Sequence, residues 1–252
     1  MTVERRIPTQ SYGVLDRREA LTPDAEAIEQ IRDLGYAVLD AGFSPEAIDR
    51  VRQEFDRVRS VYVEKHGEAF LRGLGEFHTV RALLTQGSRI FLDLALNAPL
   101  MYVVKRLIDG KFILNQQNGI VNPPQEEYSQ SAWHRDLPYQ HFVATTPLAI
   151  NALYCVDDFT VDNGATFVLP ASHRSAAFAS PAYVSRNAVQ LEAKAGSFIV
   201  LDCMVFHAGG FNTTGVPRRA VNHMFNIPYF KQQINIPRSL DGVGLSPEAG
   251  GI

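Results

Sequence analysis

Residues 111–121 read KFILNQQNGIV, and at this point the apolar pattern of the chain changes period. Further short apolar runs follow: PLAINALYCV (147–156), ATFVLP (165–170), AVQLEA (188–193), SFIVLDCMVFH (197–207) and RAVNHMFNI (219–227). Pro, Gly, Asn and Asp separate them, and β-branched and aromatic residues fill them, as a pleated and half-buried surface requires. Asp162-Asn163-Gly164 stands just before ATFVLP and carries residues that tolerate positive φ, so a tight turn is expected there. Upstream the pattern is helical. Thr22-Pro23-Asp24 opens a helix with Ile28, Ile31 and Leu34 on one stripe and Gly35 as its stop. Tyr36-Ala37-Val38-Leu39 is a short strand candidate. Ser44 and Pro45 begin a second helix carrying Ile48, Val51, Phe55 and Val58. A third helical pattern runs from Ser88 to Leu107, with Pro99 expected to split or restart it near Asn97.

Helices first and strands afterwards predict an α+β chain whose jelly-roll or cupin-like core is braced by N-terminal helices. The chain shows no internal repeat, low-complexity tract or linker, so one domain is expected over residues 1–252. Residues up to about 110 form its mostly helical part, about 111–230 its β core and 231–252 a C-terminal tail.

With 252 residues and 46% apolar content, the chain is long enough to bury one substantial core. A formal net charge of −3 argues against a nucleic-acid partner, which would need a concentrated basic surface. MTVERRIPTQ is charged and lacks an apolar h-region, so it does not read as a secretory signal. No run of about 18 apolar residues is present, and no membrane span is expected. Cys155 and Cys203 are the only cysteines and lack C-x-x-C spacing, which disfavours a disulfide framework or a thiolate zinc site. Free thiols in a cytoplasmic enzyme, acting on a small molecule as a monomer or homodimer, are the expectation.

His134-Arg135-Asp136 is an H-x-D step, and His207 follows 73 positions later, at the end of the SFIVLDCMVFH run. In strand geometry residues i and i+2 face the same way, so His134 and Asp136 can both point inward while Arg135 points elsewhere. Two imidazoles and one carboxylate can occupy one face of an octahedral metal ion and leave the rest open, as in non-haem Fe(II) oxygenases. Arg218, eleven residues after His207, can hold a carboxylate bidentately through its planar guanidinium. Arg219 beside it would face the other way in a strand.

The sequence resembles the phytanoyl-CoA dioxygenase-like family of Fe(II)/2-oxoglutarate enzymes over most of its length. The most specific pieces are Trp133-His134-Arg135-Asp136, the segment from Asn163 to His173 (NGATFVLPASH), and His207 to Asn212 (HAGGFN) running on to Arg218 and Arg219. The resemblance implies a double-stranded β-helix, His134, Asp136 and His207 as catalytic iron ligands, and Arg218 as the partner of the C5 carboxylate of 2-oxoglutarate. It implies dioxygen as co-reactant, and hydroxylation of a small molecule with release of succinate and CO2 as the default outcome. Desaturation, cyclisation and epimerisation are alternatives. Relatives that halogenate carry a small residue at the position of Asp136, so a carboxylate there disfavours halogenation. Many relatives also carry a small hydroxyl residue two positions after the distal histidine, where this chain has Gly209.

Asn115 and Gln117 are candidates for contacting the cosubstrate or the substrate, and buried amides satisfying backbone groups are the plainer reading. His78, Arg81, Arg135, Tyr139 and His141 are candidates for a substrate pocket, with solvated surface charge as the alternative for the arginines. Trp133 reads as a wall of the site, and His173 as a loop residue bonded to backbone. Two readings from other classes stand beside the oxygenase: a cupin-type metalloenzyme without 2-oxoglutarate, and a non-catalytic metal-binding protein.

Overall fold

The computed structural model describes residues 7–137, 142–232, 234–240, 245 and 250. Two helices form as their caps dictate. α1 (Pro23–Leu34) has Thr22 as its N-cap, whose hydroxyl accepts from the Ala25 N–H at 3.2 Å, and ends at Gly35 in the left-handed region. α2 (Pro45–His66) starts from Ser44 in the same way and buries Val51, Phe55, Val58 and Tyr62. Leu34, expected on the buried stripe of α1, is more than a third exposed, while Ile28 and Ile31 are buried. A short α3 (Glu68–Gly73) follows α2. The third helical pattern is split as expected: α4 (Ile90–Ala95) stops, and α5 (Ala98–Leu107) restarts from Asn97, whose side chain accepts from the Leu100 N–H. Two further short helices are α6 (Pro181–Asn187) and α7 (Ile236–Ser239).

The strands are β1 (Tyr36–Asp40), β2 (Thr79–Val80), β3 (Ile113–Asn122), β4 (Ala149–Cys155), β5 (Phe167–Val168), β6 (Val189–Gln190), β7 (Ser197–Asp202), β8 (His207–Ala208) and β9 (Arg218–Asn226). They form a six-stranded antiparallel sheet in the order β1-β7-β4-β9-β3-β2 and a three-stranded sheet in the order β6-β5-β8. The mixed helix and sheet architecture agrees with the α+β expectation. Both edge strands of the larger sheet, β1 and β2, come from the otherwise helical N-terminal part.

The larger sheet has two faces, and their separation is what positions the site. One face packs on the helices: Phe198 and Val200 of β7, Ile150, Ala152 and Tyr154 of β4, and Val221 and Phe225 of β9 share a core with Phe55, Phe91 and Leu100. The Val, Ile, Leu and Phe side chains among them each contribute roughly 1.5–3 kcal/mol by leaving water. The opposite face looks toward the small sheet. There Ile199, Leu201, Cys155 and Ala220 pack with Val168, Phe159 and Val205. Period-2 alternation therefore assigns Asn151, Leu153, Ala220 and Asn222 to the space between the sheets.

Candidate metal centre and cosubstrate cavity

His134 sits in a single antiparallel bridge to His207 rather than in a regular strand. The His134 N–H donates to the His207 carbonyl at 2.9 Å, and the His207 N–H donates back at 3.0 Å. Two residues on, the Asp136 N–H donates to the Cys203 carbonyl at 3.1 Å, so the H-x-D step keeps strand-like alternation without belonging to a sheet. The rings of His134 and His207 lie with centroids 4.4 Å apart, and His207 Nε2 is 3.7 Å from Asp136 Oδ1. One ligand atom from each of the three residues falls within a 4.8 Å cluster.

Neighbouring groups fix which atoms face inward. His134 Nδ1 is 2.7 Å from the Ala132 carbonyl and His207 Nδ1 is 3.1 Å from the Val205 carbonyl. A carbonyl can only accept, so each Nδ1 carries the proton and donates, leaving the Nε2 lone pair free. Asn151 Nδ2 donates to Asp136 Oδ2 at 2.7 Å, which holds that oxygen aside and leaves Oδ1 toward the histidines. Burial pulls the pKa of His207 below its ordinary value, outweighing the opposing pull of Asp136, and so favours the neutral imidazole that a metal requires. Two neutral nitrogens and one carboxylate oxygen, each held by a further hydrogen bond and open on one side, fit a divalent iron.

The open side is a cavity with about 500 Å³ of space including its mouth, bounded by His134, Asp136, His207, Asn151, Leu153, Ile120, Asn222, Thr166 and Tyr128, among others. Arg218 also lines it, itself 4% exposed. Its Nε donates to the Asn163 carbonyl at 3.2 Å and one Nη to the Gly164 carbonyl at 3.0 Å, while the guanidinium carbon lies 3.7 Å from the centre of the Phe159 ring. Tyr128 lies beside it on the wall of the same cavity. Burial lowers the pKa of Arg218, but an arginine keeps its charge. Among the described residues its hydrogen bonds go to carbonyls, none to a carboxylate. A buried cation so placed suits an anion entering the cavity. Arg219 faces away, as alternation requires, and is ion-paired to Asp157 at 2.7 Å and Asp56 at 2.6 Å.

The Asn-Gly turn and the HAGGFN segment meet beneath Arg218. Asn122 Nδ2 donates to the carbonyls of both Gly164 and Gly210, at 3.2 and 2.9 Å. Gly164 has φ +75°, and a Cβ on it would lie 2.3 Å from the Gly210 oxygen, so only glycine allows this approach.

Other candidates lie elsewhere. Gln117 donates to the Phe91 carbonyl on the helical side of the sheet, and Asn115 donates to the Lys231 carbonyl at 3.3 Å. Neither lines the cavity. A register shift between Leu114 and Gln116 makes Asn115 an extra residue, and the phase that reaches the cavity is that of Ile120. Arg135 is buried and organises a loop, its guanidinium donating to the carbonyls of Met204, Ala176, Ser172 and Ser175 and lying over the Phe206 ring. Arg81 pairs with Glu76. His78 lies 3.3 Å from Glu126 and borders a separate surface hollow. Tyr139 and His141 lie outside the described residues. His173 sits in a loop with Nε2 3.2 Å from the Arg32 carbonyl, and Trp133 packs on Phe178. The sequence reading missed Tyr128, Asn151, Thr166 and Asn222. For Asn151 and Asn222 the available signal was a polar residue alternating with apolar ones in a strand.

A two-histidine, one-carboxylate cluster on this double-sheet scaffold points to the non-haem iron oxygenases. Residues 31–220 match the family model described as phytanoyl-CoA dioxygenase (PhyH), and the chain belongs to that family. An uncharacterised protein of Mycobacterium tuberculosis, Rv1501, is 32% identical over 233 residues, covering 88% of this chain and 84% of the relative. The Fe(II)/2-oxoglutarate-dependent dioxygenase nvfF of Aspergillus novofumigatus is 27% identical, covering 86% and 77%. Among solved structures, the epimerase SnoN in complex with Fe3+, alpha ketoglutarate and nogalamycin RO superposes with a TM-score of 0.63 at 19% identity, covering 89% of this chain and 92% of that one. The chain is an oxidoreductase of the Fe(II)/2-oxoglutarate-dependent class. None of the helices in the described residues is long and apolar enough to cross a membrane.

Proposed function

We propose that His134 Nε2, Asp136 Oδ1 and His207 Nε2 hold Fe(II), that Arg218 anchors the far carboxylate of 2-oxoglutarate, and that the chain works as a single oxygenase domain hydroxylating a small molecule. One observation carries the reading: three ligand atoms within 4.8 Å of one another open onto the cavity that Arg218 lines, and Arg218 has no carboxylate partner among the described residues. Iron and 2-oxoglutarate, when bound, supply an oxidant that turns C–H into C–OH while 2-oxoglutarate and dioxygen become succinate and CO2. The chain's own residues orient and exclude. The two carbonyls fix the imidazole tautomers, Asn151 fixes the carboxylate, and Arg218 sets the angle at which the keto-acid approaches the metal. The buried free thiols of Cys155 and Cys203 suit a reducing compartment such as the cytoplasm.

The test is to add Fe(II) and 2-oxoglutarate to anaerobic protein and record the weak visible metal-to-ligand charge-transfer band. A band that needs both additions, and that is lost in His207→Ala and weakened in Arg218→Ala, is the expected result. Confirmed iron binding without a band would overturn the cosubstrate assignment in favour of a metalloenzyme that does not use 2-oxoglutarate.

A further inference from the structure

Gly209 stands two residues after His207, and the space its missing side chain leaves is filled from another segment. A Cβ at Gly209 would lie 2.4 Å from the Tyr128 hydroxyl oxygen and 3.1 Å from Tyr128 Cζ. The two positions are tied together by backbone: the Gly209 N–H donates to the Gln130 carbonyl at 2.7 Å, and the Ser131 N–H donates to the Tyr128 carbonyl at 2.9 Å. Tyr128 is therefore held against Gly209 by the short turn that follows it, and its ring lines the metal cavity beside Arg218. The phenol also lies beside the Arg218 guanidinium, whose positive charge acts on it.

The roles open to the two groups are fixed by their chemistry. A guanidinium has donors only, so toward Arg218 the phenol oxygen can only accept, and its own O–H is free to donate elsewhere. Beside a buried cation and in a cavity suited to an anion, the partner that O–H fits is an anionic oxygen. On the opposite side Tyr128 borders a surface hollow with Arg72, His78 and Glu126, so its ring also separates the arginine end of the cavity from that hollow.

Resting on the assignment of Arg218 above, we propose that Tyr128 is the second donor to the far carboxylate of 2-oxoglutarate, and that Gly209 is required so that the phenol can occupy this place. The functional unit is then a pair: a tyrosine from the loop before the H-x-D step and a glycine after the distal histidine. A hydroxyl on residue 209 and the phenol of residue 128 in its present position are alternative solutions, because a Cβ at 209 would lie 2.4 Å from the phenol oxygen and push it aside.

The experiment measures binding of 2-oxoglutarate to protein loaded with Zn(II), an inert metal, by calorimetry and by ligand-dependent rise in melting temperature, together with KM and kcat from succinate release by the iron enzyme. The proteins are wild type, Tyr128→Phe, Gly209→Ser, the double variant and Arg218→Ala. The keto-acid 2-oxobutyrate, which lacks the far carboxylate, is the control ligand. Tyr128→Phe keeps the ring and removes one charge-assisted hydrogen bond, so 2-oxoglutarate affinity should fall about tenfold or more while 2-oxobutyrate affinity stays unchanged. The KM for 2-oxoglutarate should rise more than kcat falls. Gly209→Ser should also weaken 2-oxoglutarate binding, because its side chain displaces the phenol. The double variant should recover most of the loss, since the serine hydroxyl enters the volume the phenol oxygen vacates. Unchanged 2-oxoglutarate affinity in Tyr128→Phe, with Arg218→Ala impaired, overturns the role of Tyr128 and leaves the cosubstrate site standing. Equal losses for both keto-acids, or no recovery in the double variant, reduce Tyr128 to a structural wall and overturn the proposal too. Normal binding in both Tyr128→Phe and Arg218→Ala would refute the cosubstrate site itself.

Discussion

Asn151→Ala removes one hydrogen bond and tests how the metal centre is built. Asn151 lies on β4, 3% exposed, and its Nδ2 donates to Asp136 Oδ2 at 2.7 Å. Without it, Asp136 keeps its charge and its place in the chain but loses the group that turns Oδ1 toward His207. A hydrogen bond to an ionised carboxylate is worth roughly 1.5–3 kcal/mol, and about 1.4 kcal/mol corresponds to a factor of ten, so the dissociation constant for Fe(II) should rise roughly ten- to a hundredfold. The loss lies in metal affinity, because the Asn151 amide, although it borders the cavity, is committed through its Nδ2 to Asp136 and acts through that residue. Turnover measured against iron concentration should therefore show a raised half-saturation point and a maximum close to wild type. Anaerobic competition with a chromophoric chelator gives the affinity directly. A wild-type iron affinity in Asn151→Ala, or a maximal rate that no amount of iron restores, would refute the reasoning.

Arg218→Ala should raise the KM for 2-oxoglutarate at least tenfold, whereas Arg219→Ala should leave it unchanged and lower stability by breaking the Asp157 and Asp56 pairs; steady-state kinetics and urea unfolding separate the two. Arg135→Met should cost about 3 kcal/mol or more of stability, because it strands carbonyls that the guanidinium now satisfies, and a raised substrate KM in a variant of unchanged stability would contradict that structural role. His223 is buried among Phe198 and Phe225, and burial pushes its pKa from 6.5 to about 4. The folded state thus binds this proton less readily than the unfolded one, so stability is full above pH 6.5 and falls as the pH drops toward 4, by about 3 kcal/mol from this group. His223→Gln should flatten that part of the stability curve, and an unchanged acid limb in chemical unfolding would rule His223 out as its source.

The sequence shows most clearly those features whose cause is local. Thr22, Ser44 and Asn97 cap helices through their own side chains within three residues, and the period of Ile28 and Ile31, or of Val51, Phe55 and Val58, records which face is buried. The separation of Arg218 from Arg219 was readable for the same reason, since a strand alternates without help from its surroundings. The same rule failed for Asn115 and Gln117. Alternation says that two residues share a face but not which face, and the extra residue at Asn115 breaks the count within the strand. Arg135 failed differently. Its alternation away from His134 and Asp136 was read correctly, but the space it turns into is a loop 37 to 41 residues downstream, whose carbonyls need a donor.

Tyr128 and Asn151 are harder still, because each acts on a residue whose own identity gives no sign of it. Asp136 has the same letter whether or not an amide 15 residues later holds its second oxygen. Gly209 read alone is a missing hydroxyl, and only the approach of the phenol to 2.4 Å from its vacant Cβ position makes it the complement of a tyrosine 81 positions earlier. Gly164 repeats the pattern, its vacant Cβ position lying 2.3 Å from the Gly210 carbonyl oxygen. At such glycines the residue type records a volume excluded by something distant in sequence. The tyrosine and the glycine should therefore change together: a hydroxyl regained at position 209 displaces the phenol of position 128 from its present place.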